Sequence, residues 1–409
     1  MTLHCRICGH ELTRTFVDLG MSPPCEDLLS AQRLNEPEVF YPVHVRICDS
    51  CLLVQLPNVI PAEEIFTDSY AYFSSFSTSW VEHARRYSTE MIERLGLGAS
   101  SMVMEVGSND GYLLQHFVAA GIPVLGIDPA GDTADAAIAK GIPTEKVFLG
   151  ARTASDLVQR HGRADLIVAN NVFAHVPDLH DFVTGLATLL APQGMLTLEF
   201  PHLQRLIEQR QYDTIYHEHY SYYTLLTAQR ALALSDLVVE DVTELPSHGG
   251  SLRLLVRHRE VAGPASEEVA GVLDREADAG LHSVEGYAGF AQQVSTVKAD
   301  LLEFLIAVKR EGRSVAGYGA PGKGNTLLNH CGVRTDLLPY TVDMNPGKHG
   351  MFLPGSLIPI HPPSRIAETE PDYVLILPWN LRKEIGEQLR YAREWGARFV
   401  TAIPELDVW

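Results

Sequence analysis

Residues 105–111 read Glu105-Val106-Gly107-Ser108-Asn109-Asp110-Gly111 and begin within the apolar run Met102–Val106. That run has the length and character of a buried strand, and the residues after the loop open a helix over 112–120. Glycines at 107 and 111 let the backbone turn tightly and approach a ligand, while the helix start presents amides that lack intrahelical partners. Outward from the loop, Val124–Ile127, Leu166–Ala169 and Met195–Phe200 repeat the strand signature, and 132–140, 152–161 and 179–190 the helical one. This alternation predicts a parallel sheet covered on both faces. Val238–Glu244 and Ser251–His258 read as an antiparallel pair closing that sheet. Trp80–Leu95 reads as an amphipathic helix before it. A second αβ pattern follows through Ser314–Tyr318, Asn325–Asn329, Tyr340–Val342, Tyr373–Leu377 and Phe399–Ile403.

Asp128, at the end of the strand after the loop, is placed to accept hydrogen bonds from a ribose diol, and Asn170-Asn171 ends the next strand beside the same crevice. The loop is not the three-glycine dinucleotide fingerprint. Its Glu-x-Gly-x-x-x-Gly form resembles the first motif of class I methyltransferases. The resemblance implies that Glu105, Gly107, Ser108, Asn109, Asp110 and Gly111 cradle the methionine half of S-adenosylmethionine, with Asp128, Asn170 and Asn171 completing the cofactor site.

The chain has 409 residues and a mass of 45.1 kDa, which suits two or three domains. Its net charge of −19 argues against nucleic acid as a partner, since phosphate neutralisation needs a basic face. No apolar stretch reaches the ~20 residues that cross a bilayer. No secretory signal stands at the N-terminus, so a cytoplasmic protein is expected. Four of the six cysteines form two pairs, Cys5-Arg-Ile-Cys8 and Cys48-Asp-Ser-Cys51. Each spacing lets one tight turn aim two thiols at an ion, and Gly9 helps the first turn. Four thiolates suit a structural zinc ion with no open coordination position. Cys25 and Cys331 read as ordinary small apolar residues.

After Pro201 the alternation breaks into a polar insert containing Tyr216-His217-Glu218-His219-Tyr-Ser-Tyr-Tyr223. Methylation of carbon beside a ketone needs a base for the α-proton, a partner for the enolate oxygen, and a carbanion in line with the sulfonium methyl. Imidazole is suited to the first task near neutral pH, a carboxylate can orient it, and phenols can donate to the oxyanion. His219 and Glu218 read as the base and its support, with either able to take the proton. His175, after the strand Leu166–Ala169, reads equally as a ligand contact or a loop histidine.

Across nearly its whole length the chain resembles sugar C-methyltransferases acting on nucleoside-diphosphate 4-keto-deoxysugars. The resemblance is carried by the four cysteines, Tyr70-Ala-Tyr72-Phe-Ser-Ser, the Gly107–Gly111 loop, Ala174-His175-Val-Pro177, Tyr216-His-Glu218-His219, His248-Gly-Gly250 and Gly317-Tyr318-Gly-Ala-Pro-Gly-Lys323-Gly-Asn325. It implies that His219 abstracts the proton at sugar C3 and that Glu218, Tyr216, Tyr70 and His175 line the same pocket. Two positions depart from the pattern: many relatives have histidine where Phe73 stands and aspartate where His217 stands.

The glycine loop before Lys323 is another strand–loop–helix junction, whose successive amides plus Lys323 would seat a diphosphate. The expected substrate-binding set is Tyr72, His248, Tyr318, Lys323, Asn325, Asp343 and Lys348. The fold expected is α/β: a zinc-binding module over residues 1–65, a class I methyltransferase Rossmann-like domain over 66–263, a helical connector over 264–312 and a C-terminal Rossmann-like nucleotide-sugar domain over 313–409. The partner expected is a small nucleotide-linked keto-sugar, with no nucleic acid, no membrane, and a monomer or weak homo-oligomer. An O- or N-methyltransferase of a small metabolite, or a non-catalytic scaffold on the same fold, remains open from sequence alone.

Overall fold

A computed structural model describes residues 2–65 and 73–409. The chain divides into two compact units that are discontinuous in sequence. The first comprises Met1–Thr13, Ile47–Leu203 and Tyr220–Gly286, and the second Arg14–Arg46, Gln204–His219 and Tyr287–Trp409. The sequence suggested consecutive blocks. Instead the insert after Pro201 contributes Gln204–His219 to the second unit, and the connector region contributes the helix Glu267–Asp278 to the first and Phe290–Arg310 to the second.

The first unit is built on a seven-stranded sheet. Its strands lie in the order Leu237–Leu245, Ser251–His258, Leu190–Pro201, Ala164–Asn170, Val103–Val106, Val124–Ile127 and Thr144–Glu145. Successive residues of its strands enter different cores: Met104, Val106, Leu125, Ile127, Ile167 and Ala169 pack in one cluster, and Val103, Val124, Leu166 and Val168 in another. A two-residue period places those clusters on opposite faces, so the near-continuous apolar runs follow from a sheet covered twice. Ser251–His258 runs antiparallel to both neighbours, closing the edge as an antiparallel hairpin. The helices Leu114–Ala119, Gly131–Ala139, Ala151–His161 and Leu179–Leu189 fall within three residues of their expected bounds. Thr78–Leu95 starts where the Ser77 hydroxyl accepts the Trp80 amide at 3.3 Å and stops at Gly96, with φ 62°.

The second unit carries a six-stranded sheet in the order Ile360–His361, Thr341–Val342, Val315–Tyr318, Tyr373–Ile376, Arg398–Thr401 and Asp407–Val408. All neighbours are parallel except the last pair. The helix Phe290–Arg310 buries Phe290, Val294, Val297, Leu301, Leu305 and Val308, a stripe at three- and four-residue spacing. Phe290 stacks on Phe16 of the strand Arg14–Ser22 at 4.7 Å.

In both sheets the first strand of the αβ series lies inside. The chain moves out to one side and later returns to the other, so Val103–Val106 adjoins Ala164–Asn170 and Val315–Tyr318 adjoins Tyr373–Ile376. A reversal of this kind leaves a crevice at the carboxyl ends of the two strands, where ligands of such sheets bind. No helix among the described residues is long and apolar enough to cross a membrane.

Candidate active site and metal centre

The four paired cysteines converge. Cys5 Sγ and Cys51 Sγ stand 3.3 Å apart, Cys8 Sγ and Cys48 Sγ 3.5 Å, and all four sulfurs lie within 4.8 Å of one another. Bonds of about 2.3 Å in a tetrahedron put sulfurs about 3.8 Å apart, so the set fits zinc closely. Two similar turns build the centre: Gly9 N donates to Cys5 O and Leu52 N to Cys48 O, each at 2.9 Å, with Gly9 at φ 70° and Leu52 at φ 66°. Gln55 Nε2 donates to Cys5 Sγ at 3.2 Å. Between the first two cysteines, Arg6 Nε donates to Pro177 O and Arg6 Nη1 to Tyr220 O, both at 3.1 Å. The zinc turn therefore braces the loop that carries His175.

The cofactor loop closes as its glycines require. Gly107 has φ 70° and Gly111 φ 76°; a Cβ would stand 2.4 Å from Val172 Cγ2 at the first and 2.3 Å from Ile142 Cδ1 at the second. Asp128 Oδ2 accepts the Asn109 amide at 2.7 Å and Oδ1 the Ala130 amide at 2.9 Å. Asp128 thus ties the loop down; Oδ1 also accepts from Thr133 Oγ1 at 3.4 Å, while Oδ2 keeps a lone pair for a ribose hydroxyl. Asp110 pairs with Lys140 at 3.0 Å and accepts from the Ser75 hydroxyl. Around the crevice, Glu105 Oε1 and Oε2, Ser108 Oγ, Asp110 Oδ1 and both side-chain atoms of Asn170 are buried with no hydrogen-bond partner among the described residues. Buried polar atoms are costly unless satisfied, and four such residues in one crevice fit a polar, cationic ligand. Burial, with Asp128 and Asp110 adding to it, holds the Glu105 carboxyl well above its usual range. Asn171, at φ 54°, points its amide at His248 Nε2, 3.4 Å away. His248, expected among the substrate contacts, stands edge-on to Trp80 at 5.1 Å.

Beside these residues lies a charged group that the sequence reading missed. Glu199 is fully buried and accepts from Arg253 Nη2 at 3.0 Å and Ser247 Oγ at 2.9 Å, with His83 Nε2 3.0 Å away. Glu199 and Arg253 face each other in strand register. Charges inside otherwise apolar strands were the available signal.

In the second unit, His219 Nδ1 lies 2.6 Å from Thr214 O. A carbonyl only accepts, so Nδ1 carries the proton and Nε2 holds the basic lone pair. Desolvation, opposed by the Thr214 contact and reinforced by the field of Lys323, lowers the His219 pKa to about 4. The ring is neutral at physiological pH although part of it reaches the surface. Tyr216 packs on His219 with ring centroids 4.1 Å apart. Glu218 is buried, and its charge reaches Cys25. His217 faces away to pack edge-on against Tyr41 at 5.8 Å. Tyr70 and Tyr72 lie outside the described residues.

The loop before Lys323 differs from the open amide cradle expected. Ala320 N donates to Asp343 Oδ2 at 2.7 Å and Gly322 N to Glu26 Oε1 at 2.9 Å. Lys348 Nζ bonds Ala320 O at 2.8 Å and pairs with Glu26 at 3.6 Å. Two carboxylates thus hold amides that an anion would have needed, and Asp343 and Lys348 act as braces. Tyr318 donates to Gln388 Oε1 at 3.1 Å, and Asn325 Oδ1 accepts from Asn329 at 3.1 Å. Lys323 instead turns to the carboxyl end of the neighbouring strand. Its Nζ donates to Asn380 Oδ1 at 3.0 Å and sits 5.0 Å from the Trp379 ring centre. Trp379 Nε1 in turn donates to buried Asp213 Oδ2 at 2.8 Å.

Comparison with known proteins bears on this arrangement. Residues 5–66 match a family model described as "Putative zinc binding domain", 80–242 one described as "Methyltransferase domain", and 246–404 one described as "C-methyltransferase C-terminal domain". The chain is 36% identical over 401 residues to the C-methyltransferase NovU of Streptomyces niveus, spanning 98% of this chain and 95% of that protein. A ubiquinone biosynthesis O-methyltransferase of Rhodopseudomonas palustris is 25% identical over 100 residues, 24% of this chain and 40% of that one. Among solved structures, magnesium protoporphyrin IX methyltransferase from Synechocystis PCC 6803 with bound SAH has a TM-score of 0.34 at 16% identity, covering 43% of this chain and 83% of that one. The full-length match to NovU, together with the cysteine centre and the unsatisfied cofactor crevice, places the chain in the C-methyltransferase family, as an S-adenosylmethionine-dependent enzyme with an N-terminal zinc-binding module.

Proposed function

We propose that the enzyme methylates C3 of a nucleoside-diphosphate 4-keto-deoxysugar through an enolate. The observation that supports this reading is the state of His219: a neutral imidazole whose Nδ1 proton is held by the Thr214 carbonyl, which leaves the basic lone pair on Nε2. His219 Nε2 takes the proton from C3, and the C–H electron pair moves toward the C4 oxygen. Tyr216 holds the ring and Glu218 supports it; the family resemblance adds Tyr70 and His175 to the catalytic set. The enolate carbon then attacks the sulfonium methyl in line, the carbon–sulfur bond breaks, and the ketone re-forms. Glu105 to Gly111, Asp128, Asn170 and Asn171 hold the cofactor. The C-terminal αβ unit takes the nucleotide half of the substrate, and zinc is structural.

The test is His219→Asn, followed in single turnover with a panel of thymidine-diphosphate 4-keto-deoxysugars and by deuterium wash-in at the carbon next to the ketone. Loss of both methyl transfer and exchange, roughly 10²–10⁴-fold as for removal of a general base, is the expected result. Exchange at the wild-type rate removes His219 from this role.

A further inference from the structure

The dipeptide Asp213-Thr214 holds two different groups. The Thr214 carbonyl fixes the His219 tautomer through a 2.6 Å contact, and the Asp213 carboxylate holds the Trp379 indole at 2.8 Å. Trp379 lies under Lys323 at 5.0 Å, and Asn380, the next residue, accepts one Nζ proton at 3.0 Å. An ammonium has three donors, and no other hydrogen bond from Lys323 Nζ occurs among the described residues. Two N–H groups therefore remain for a ligand. Trp379 and Asp213 are buried, and Asp213 Oδ1 has no hydrogen-bond partner among the described residues.

A half-buried cation held between Asn380 and Trp379 has a use beyond packing, because desolvation of an ammonium is costly. A diphosphate anchor would use the adjoining amides, yet Asp343 and Glu26 already occupy those of Ala320 and Gly322. Lys323 also lies close enough to His219 for its field to disfavour a proton there. Such a cation opposes positive charge on the base and favours negative charge on the substrate.

Resting on the reading of His219 given above, we propose that Lys323 is a catalytic residue whose ammonium stabilises the enolate oxygen, and that Asp213, Trp379 and Asn380 are positioning residues that aim it. As Nε2 of His219 takes the α-proton, the C–H pair becomes the enolate π bond and the carbonyl π pair moves onto oxygen, facing Lys323. Methyl transfer then returns that pair to the carbonyl, so the lysine neither gains nor loses a proton. Preorganised charge at a developing oxyanion is worth about 10²–10³ in rate.

The test uses the full-length, zinc-loaded enzyme with S-adenosylhomocysteine bound and a thymidine-diphosphate 4-keto-6-deoxyhexose in D₂O. Lys323→Gln is expected to slow deuterium wash-in and kcat together by about 10²–10³-fold. Thymidine diphosphate, titrated calorimetrically, should bind within about threefold of wild type. Lys323→Arg keeps the charge and should recover part of the exchange rate. Asp213→Asn is expected to slow exchange at unchanged KM, a split that a merely structural loss would not give. If Lys323→Gln exchanges at the wild-type rate, or weakens thymidine diphosphate binding while kcat at saturation holds, Lys323 is an anchor and the proposal falls. If the wild-type enzyme methylates the sugar without exchange, the enolate reading fails, and this assignment with it. Exchange in the wild type that persists in Lys323→Gln overturns only the lysine.

Discussion

Replacing Gly107 by alanine tests the cofactor crevice at its tightest point. The backbone there has φ 70°, and the new Cβ would stand 2.4 Å from Val172 Cγ2. The left-handed conformation costs an alanine about 1–2 kcal/mol, and overpacking adds about 1–3 kcal/mol. The sum, about 2–5 kcal/mol, divides between folding and binding. If all of it falls on binding, S-adenosylhomocysteine binds roughly 30-fold to several thousandfold more weakly, at about 1.4 kcal/mol per factor of ten. Val172→Ala removes the clashing methyl, so in the double variant only the backbone portion should remain. Calorimetric titration with S-adenosylhomocysteine, combined with thermal unfolding of the same four proteins, resolves the cycle. Wild-type affinity and Tm in Gly107→Ala would refute the reasoning. So would a double variant no better than Gly107→Ala alone.

Further outcomes follow from the same geometry. Cys48→Ser should abolish stoichiometric zinc, measured by atomic emission, and lower Tm by several degrees, because zinc ties the Cys48 turn to the Cys5–Cys8 turn, whose Arg6 braces Pro177 and Tyr220. Burial, with Asp128 and Asp110, raises the Glu105 pKa and so favours a proton there in the free enzyme. A cationic cofactor should release that proton, and binding enthalpy at neutral pH should then vary with the ionisation enthalpy of the buffer. His219 has a folded pKa lowered to about 4 against an ordinary 6.5. The unfolded chain therefore binds the extra proton between those values, and its contribution to stability grows as pH rises from about 4 to 6.5 and is flat above. The slope of stability against pH in that window should be shallower in His219→Asn, and kcat/KM should fall only as pH approaches about 4. Glu276→Ala should cost about 3–5 kcal/mol in denaturant unfolding, since buried Glu276 pairs with His202 at 2.7 Å and caps the helix Leu225–Leu232 through the Leu226 amide at 3.1 Å.

Local chemistry was the legible part. Each Cys-x-x-Cys pair, the Gly107–Gly111 turn and the apolar runs depend on residues within a few positions of one another, and their periods and spacings survive folding. The loop at 319–325 looked like an open anion cradle for the same reason. What fills it, Glu26 from nearly three hundred residues upstream and Asp343, leaves no local mark. The interleaving of the two units was hidden because neither Arg14–Arg46 nor Gln204–His219 breaks the chain with a linker composition. Glu199 with Arg253, Glu276 with His202, and Asp213 with Trp379 are each joined across dozens to more than a hundred residues. Only the presence of charges in apolar surroundings hinted at such pairs.

The most direct measurement follows the methyl group itself. The enzyme is incubated with S-[methyl-¹³C]adenosylmethionine and a thymidine-diphosphate 4-keto-deoxysugar in D₂O, and the product is read by carbon-13 NMR and mass spectrometry. The labelled methyl is expected on the carbon beside the ketone, with His219→Asn inactive in the same assay. A label bound to oxygen or nitrogen, or full activity in His219→Asn, would contradict the account.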